Sequence, residues 1–520
     1  MAEDTFVHNK LKILTNDALG RHLVTEEAIK KGERLILDPA LVIGPHVISG
    51  PVCLNCWTPV PPASFCRRCS RCDIAPLCSS CFEMVPNDQV KDDNQNIRHN
   101  LQECNAFQKS TLNHNTLINN LHVVMPLRCL LLSEQKLQEV MKMEAHQEKR
   151  RNKAIWHLYR AVVIKALYDF GLVDPEKWNE ESLQRLCGIL DVNTFEIRCP
   201  AGTSSTARAL FPLASLMSHD CTPNAHITLD KKHHIRSFAS RDIAEGTTIC
   251  CTYTSIMQPT WRRREHLREG KYFECMCERC KDATEFGTHL QSLICTGCSG
   301  QVIPTNPTSP DPWSSGNSWS CLSCNKSYEA TSIKALLDAF EARIAITDKT
   351  NEEALETLLS SMCQTLTPHH YLMLDVKQTL AALLRDKYTD ADDAPIDALR
   401  RKTSLCSELV NVLETLEPGL SRLTGIAYYE LFVATSQQAN CELVTESISS
   451  EEFLSRIKSA EGMLRSAINL LIYEPDNTPE GALVKAAFQD LHLIKNAPYL
   501  FEDGHPPKIQ KPRFSSFGRF

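Results

Sequence analysis

The chain has no uninterrupted apolar run long enough to cross a bilayer. Its most apolar region, residues 117–132, is broken by Asn119, Asn120, His122 and Arg128, and polar or charged groups are costly in hydrocarbon. No membrane partner is therefore expected. The opening residues, Met1-Ala2-Glu3-Asp4-Thr5-Phe6, lack the basic and then apolar pattern of a secretory leader. That predicts an intracellular protein, in cytoplasm, nucleus or both. Positive charge is also in short supply: 56 Lys and Arg stand against 63 Asp and Glu, a formal net charge of -7. No direct sequence-specific binding of nucleic acid is expected from that balance. A hydrophobic content of 42% with 23% charged residues excludes a disordered or fibrous chain. At 520 residues the chain is too long for one core, and roughly three or four domains are expected, in a monomer.

Cysteine, by contrast, is plentiful, with 24 in the chain. In a reducing compartment these are thiols or metal ligands rather than disulfides. Cys275-Met276-Cys277-Glu278-Arg279-Cys280 puts three thiols within six residues, close to the four that a tetrahedral zinc takes. Cys221, beside a Pro-Asn turn, is a candidate for the fourth. The knuckles Cys295-x-x-Cys298 and Cys321-x-x-Cys324 predict a zinc ribbon, joined by a loop, 304–318, without periodicity and expected to be mobile. A third region holds Cys53, Cys56, Cys66, Cys69, Cys72, Cys78, Cys81, His99 and Cys104. Nine candidates for two four-ligand sites leave one spare. Sites saturated by protein ligands keep no open position for water, which favours scaffolding over hydrolysis. No basic recognition helix follows the clusters, so a DNA-binding finger protein is disfavoured.

The run Ser218-His219-Asp220-Cys221-Thr222-Pro223-Asn224 is followed by Tyr253 and then by the helix Thr260-Trp261-Arg262-Arg263-Arg264-Glu265-His266-Leu267. The series closes on Tyr272-Phe273-Glu274-Cys275-Met276-Cys277-Glu278-Arg279-Cys280. This series resembles the SET and MYND domain (SMYD) protein-lysine methyltransferase family, including its arthropod SmydA-type members. The family pattern reads Asn-His-Ser-Cys-x-Pro-Asn, then Ser-Tyr ahead of a Thr-x-x-Arg-Arg helix, then Tyr-x-Phe-x-Cys-x-Cys-x-x-Cys. Ser218 stands where the family has Asn, Asp220 where it has Ser, and His22 replaces the second glycine of the family's Gly-x-Gly loop at Gly20-Arg21-His22.

The resemblance implies an α+β fold: a split, β-rich SET domain with an inserted MYND zinc finger, a post-SET zinc site, a zinc ribbon and an all-α, tetratricopeptide-like C-terminal lobe. Its expected boundaries are 1–52 and 105–255 for the SET domain and 53–104 for the finger. The post-SET region and ribbon span 256–330, the helical lobe 331–500 and a disordered tail 501–520. The finger's sites are expected to interleave, Cys53, Cys56, Cys78 and Cys81 holding one zinc and Cys69, Cys72, His99 and Cys104 another, with Cys66 spare and a polar insertion at 87–96. With Cys221 joining Cys275, Cys277 and Cys280, and the ribbon's four thiols, about four zinc ions are implied. The implied cofactor is S-adenosyl-L-methionine, held by Gly20, Arg21, Asn193, Ser218, His219, Tyr253 and Phe273. Tyr253 is the implied catalytic tyrosine and Tyr272 is implied to line the lysine channel. The implied partners are a protein lysine substrate, histone or non-histone, and a proline-rich peptide at the finger. The alternative is a catalytically weak SET-fold scaffold that recruits partners through the finger and the helical lobe, for instance as a transcriptional corepressor.

Between these motifs, Lys31-Gly32-Glu33 marks a turn between two strands, residues 121–190 read as helical, and 134–151 reads as a solvated charged helix. A strand signal returns at 191–196. Beyond Thr331 the pattern is helical, with Ser449-x-x-Glu452 as a capping box and Phe453, Ile457, Leu464, Ala467 and Leu471 on its core face.

Overall fold

The structure is a computed structural model that describes residues 5–47, 49–61, 66–84, 96–197, 207–388 and 394–502. The expected insertion at 87–96 and the tail therefore fall almost wholly outside the described residues.

Two distant stretches of chain build the central sheet. Arg34–Pro39, whose Leu35, Ile36 and Leu37 are buried, pairs antiparallel with Phe6–Val7 on one side and with His234–Ala239 on the other; Ala225–Leu229 completes the four strands. Beside it, Val42–Pro45 pairs with Ala207–Leu210, which pairs with Thr194–Ile197. Each sheet thus joins the first fifty residues to segments far downstream, and the cysteine-rich region is inserted between the halves. The Lys31-Gly32-Glu33 turn joins Gly20–Thr25, by way of a short bridge at Ile29, to Arg34–Pro39, with Gly32 at φ 86°.

The helical stretch after residue 101 differs from its sequence reading in two places. The charged segment is two short helices, Glu134–Met141 and Gln147–Arg150, and Arg150 is fully buried, its guanidinium donating to Asp191 at 2.6 Å. The strand signal from Asp191 begins three residues late. The helix Glu180–Asn193 runs on through it because the Asn193 amide returns to the Ile189 carbonyl at 2.9 Å, and the strand is Thr194–Ile197.

The two knuckles lie on a four-stranded antiparallel sheet, Leu293–Ile294, Gln301–Pro304, Ser318–Cys321 and Ser327–Glu329. Its connecting loop is a built element and not the mobile one that its composition suggests. Trp313 stacks on Trp319 at 6.1 Å and meets Trp261 edge-on at 5.2 Å, while the Asn317 amide donates to Ser309 Oγ and the Asp311 carbonyl. Among the described residues the C-terminal part is seven helices from Ala330–Ile346 to Pro479–Glu502. Ser449 Oγ accepts from the Glu452 N–H at 3.2 Å, and the apolar stripe from Phe453 to Leu471 is buried. None of the described helices is long and apolar enough to cross a membrane.

The helices seat directly on the central sheet. Gly419, at φ 101°, brings the loop between Ile396–Leu416 and Arg422–Val444 against the Ser240 backbone, where a Cβ would stand 2.1 Å from the carbonyl oxygen, a position only glycine fits. Leu420 N–H donates to that same carbonyl at 2.7 Å, and His226 pairs with Glu474 at 3.0 Å, both buried.

Asp38, buried on the central strand, accepts from the Leu213 and Ala214 N–H groups at 2.7 and 2.8 Å. It thereby caps the short 3-10 helix Ala214–Leu216 that leads into Ser218. Burial pushes this carboxyl up to about 7, against the pull of the two backbone donors. The native state therefore holds the proton more tightly than the unfolded chain, whose aspartates titrate near pH 4. The contribution is full below that value and is lost as pH rises toward about 7, with a slope of at most about 1.4 kcal/mol per pH unit. Asp38→Asn, which stays neutral, is expected to gain thermal midpoint relative to the parent as pH is raised from about 5.5 to about 7.5. Parallel melts read by calorimetry check this; a pH-independent difference contradicts it.

Candidate functional site

The site begins where two segments run side by side. Ser218–His219 pairs in parallel with Cys250–Cys251, Ser218 N–H donating to Ile249 O and Asp220 N–H to Cys251 O. Asn224 holds the pair together. Its Oδ1 accepts from Cys250 N–H at 2.8 Å, its Nδ2 donates to Thr248 O at 2.8 Å, and its own N–H reaches Cys250 O. A Pro-Asn turn places that amide because proline fixes the preceding backbone and asparagine offers both a donor and an acceptor.

His219 continues the clamp. Its Nδ1 accepts from the Tyr253 N–H at 3.0 Å, so Nε2 carries the proton in the neutral ring, 3.4 Å from Cys221 Sγ. The ring packs against Tyr253 and Phe273 at centroid distances of 5.2 and 5.9 Å. Tyr253 is thereby fixed with its hydroxyl donating to the Met217 carbonyl. Burial pushes that phenol well above its ordinary range, and Tyr253 is a neutral donor at physiological pH.

Four sets of ligand atoms come together: Cys53, Cys56, Cys78 and Cys81; Cys69, Cys72, His99 and Cys104; Cys221, Cys275, Cys277 and Cys280; Cys295, Cys298, Cys321 and Cys324. Within each set the atoms lie within 4.8 Å of one another. A zinc ion bound at about 2.3 Å by four thiolates spaces them about 3.8 Å apart. Here Cys221 lies 3.6 Å from Cys280 and 3.9 Å from Cys275, Cys56 3.6 Å from Cys78, Cys69 4.0 Å from Cys104, and Cys298 3.5 Å from Cys321. The donor sets fit zinc. Cys66 lies outside them, its thiol turned to the Arg67 and Leu77 carbonyls.

Two buried networks support these sets, and sequence reasoning assigned no such role to Arg263, Arg279, Glu285, Glu103 or Arg128. Arg263 Nε donates to Cys221 Sγ at 3.2 Å and its Nη2 to Cys280 Sγ at 3.6 Å, while Nη1 pairs with Glu285 at 2.6 Å. Arg279 reaches the same carboxylate at 2.9 Å, and all three side chains are essentially inaccessible. Four thiolates around one divalent ion carry excess negative charge, which the guanidinium groups offset. The signal was the Thr-x-x-Arg-Arg helix, of which Arg263 is the first arginine and Thr260 the residue whose N–H also reaches Glu285. In the cysteine-rich insert, His99 Nδ1 donates to Glu103 at 2.7 Å; Glu103 pairs with Arg128, which donates to the Ile43 carbonyl at 2.9 Å and lies over Trp57. Burial opposes the charge on Glu103, but Arg128 and His99 hold its carboxyl below the usual range. A histidine in the second ligand set is thus tied to a strand of the split sheet.

Beside Tyr253 opens a cavity of about 870 Å³, lined by Asn193, Phe195, Ser215, Tyr253, His266 and Lys271 among others. Of the residues expected at the site, Asn193 and Tyr253 line it. Gly20, Arg21, Ser218, His219 and Phe273 do not. Gly20 has φ 64°, and a Cβ added there meets nothing within 4 Å, so its surroundings are open. His22 does not crowd that loop: it is buried, and its Nδ1 donates to the Gly20 carbonyl at 2.9 Å. Tyr272 is the clearest departure. Its φ of 63° turns it away from the cavity, against His146 at 5.5 Å and beneath the Lys153 ammonium. Counted back from Phe273, the family's Tyr-x-Phe in fact places its tyrosine on Lys271, and Lys271 is the residue inside.

The SET domain family matches residues 20–254 of the chain. The SET domain-containing protein SmydA-8, isoform A, of Drosophila melanogaster is 27% identical over 411 residues, which cover 75% of this chain and 82% of that protein. The N-lysine methyltransferase SMYD2 of Bos taurus is 30% identical over 164 residues, 31% of this chain and 36% of the relative. The histone-lysine N-methyltransferase SMYD3 of Homo sapiens is 35% identical over 89 residues, 17% and 20% respectively.

Replacing Arg263 leaves Glu285 with one cationic partner, Arg279, beside the Thr260 N–H, and the Cys221 set with one cation fewer. Arg263→Ala is expected to cost about 3–5 kcal/mol, as other broken buried pairs do. It should also release zinc at a lower chelator concentration than the parent. Metal analysis after graded chelator dialysis, beside a denaturant melt, checks both; parental zinc retention contradicts the role given to Arg263.

Proposed function

The chain belongs to the SMYD type of SET-domain proteins, and from that premise we propose that it is an S-adenosylmethionine-dependent protein-lysine N-methyltransferase acting on histone or non-histone proteins. The observation that carries the reading is the Tyr253 hydroxyl, fixed by the Ser218–His219 and Cys250–Cys251 pair at the wall of a large cavity and kept neutral by burial.

S-adenosylmethionine, when bound, supplies a methyl group activated by its sulfonium. The open surroundings of Gly20 would let a cofactor approach the backbone, and Phe273 beside His219 offers an aromatic face for its adenine. Gly20, Arg21, Asn193, Ser218, His219, Tyr253 and Phe273 are the residues proposed to hold it. Transfer to an amine depends on alignment and on a deprotonated nitrogen more than on strong acid or base groups. Tyr253 orients the amine through its hydroxyl without carrying charge. Phe195, in the cavity wall, offers an apolar face to the alkyl chain that carries the amine.

Around this site the cysteine-rich insert is proposed as a MYND finger that docks proline-rich peptides, with the Cys221 set as a post-SET site. The C-terminal helices are proposed as a tetratricopeptide-like lobe bordering the substrate groove, in a monomer of cytoplasm or nucleus. A second reading, the scaffold with weak catalysis, is favoured by one observation: a lysine of the chain already lies in the Tyr253 cavity.

Calorimetric titration of zinc-loaded protein with S-adenosylmethionine tests the proposal without a known substrate. Micromolar affinity is expected, falling at least about tenfold in His219→Ala, which removes the group that holds Tyr253 and Phe273 in place. No binding by well-folded, zinc-replete protein removes the methyltransferase reading and leaves the scaffold.

A further inference from the structure

Lys271 follows the helix Thr260–Gly270 and precedes a residue in the left-handed backbone region, Tyr272. That conformation is costly for a residue with a side chain and persists only where the surroundings impose it. Here Lys149 Nζ holds the Tyr272 carbonyl at 2.9 Å, and the Tyr272 ring is packed against His146. The turn packs the Tyr272 ring into a buried position away from the cavity and sends Lys271 into it.

Three features receive the Lys271 amine. It donates to the Val192 carbonyl at 2.7 Å; Val192 lies in the last turn of the helix Glu180–Asn193, where unpaired carbonyls and the negative end of the helix dipole favour a cation. It lies 5.5 Å from the centroid of the Tyr253 ring, within reach of a cation–π attraction. Its alkyl chain shares the cavity with Phe195 and Asn193. A carbonyl acceptor, an aromatic face and room for the alkyl chain are what an incoming lysine side chain needs from such a site.

We infer that Lys271 is an internal stand-in for the acceptor: its amine takes the place beside Tyr253 that a substrate lysine's amine would take, and while seated it closes the cavity to lysine side chains. The inference rests on reading the Tyr253 cavity as the acceptor site. Two ammonium groups cannot share one carbonyl and one ring face in a half-buried space without strong repulsion. Lysine acceptors are therefore admitted only when Lys271 leaves, and Lys271 is a specificity-determining residue of the site.

The test uses n-butylamine, the lysine side chain without its backbone, titrated by NMR into the full-length zinc-loaded protein without cofactor. Lys271→Ala opens the space and Lys271→Tyr installs the residue of the family pattern; either variant is read once it keeps parental zinc content and thermal midpoint. Both are expected to bind butylamine at least about tenfold more tightly than the parent. Shift changes should centre on residues around Tyr253. Equal affinity in parent and variants, or binding away from Tyr253, overturns the inference. Because no cofactor is present, this outcome is independent of S-adenosylmethionine titration of the same samples: loss of that binding counts against the methyltransferase reading, and loss of the amine difference against Lys271.

Discussion

The two crossing segments depend on the bonds that pin Ser218–Asn224 to Thr248–Tyr253. They form a two-stranded sheet of their own, and the pairing is only two residues long. Asn224 supplies what the short ladder lacks, meeting one donor and two acceptors on the opposite segment. His219 extends the same clamp to Tyr253, and Cys221, between His219 and Asn224, ties it to Cys275, Cys277 and Cys280. Removing any of these loosens the Tyr253 hydroxyl, which the short pair alone holds against the Met217 carbonyl.

The metal sets and the cysteine-rich insert were legible in the sequence because ligand chemistry is local and severe: a tetrahedral ion needs four soft donors, and paired knuckles have few other uses. The helical C-terminal part was legible from its apolar spacing. Lys271 was not. Motif order alone lets a tyrosine at one position stand for a tyrosine at the next, and only the backbone turn at Tyr272 shows which side chain faces inward. The ribbon loop was misjudged for a related reason. Its composition is that of a flexible linker, and the ordering comes from Trp313 meeting two tryptophans, Trp261 and Trp319, from outside the loop. Buried Arg150 and Arg263 fall in the same class: charge in a sequence reads as surface until the partner carboxylate, Asp191 or Glu285, is known.

The supporting networks share a plan. In the cysteine-rich insert and behind the Cys221 set alike, a guanidinium links the ligand region to backbone that belongs to another segment: Arg128 to Ile43, Arg279 to Ile256. Two of the four ligand sets are thus joined to backbone outside themselves, so that zinc bound there would be coupled to the fold around it.

The split sheet also sets a schedule for synthesis. Arg34–Pro39 is a buried apolar strand whose inner neighbour, His234–Ala239, follows about two hundred residues later in the chain. At ribosomal rates of about 5–20 residues per second, that edge waits on the order of ten to forty seconds for its partner. During that interval the nascent chain leaves the inner edge of Leu35, Ile36 and Leu37 unpaired, a ready template for other unpaired strands. The protein's yield in a cell is therefore governed by what shields one short strand before the second half of its sheet has been made.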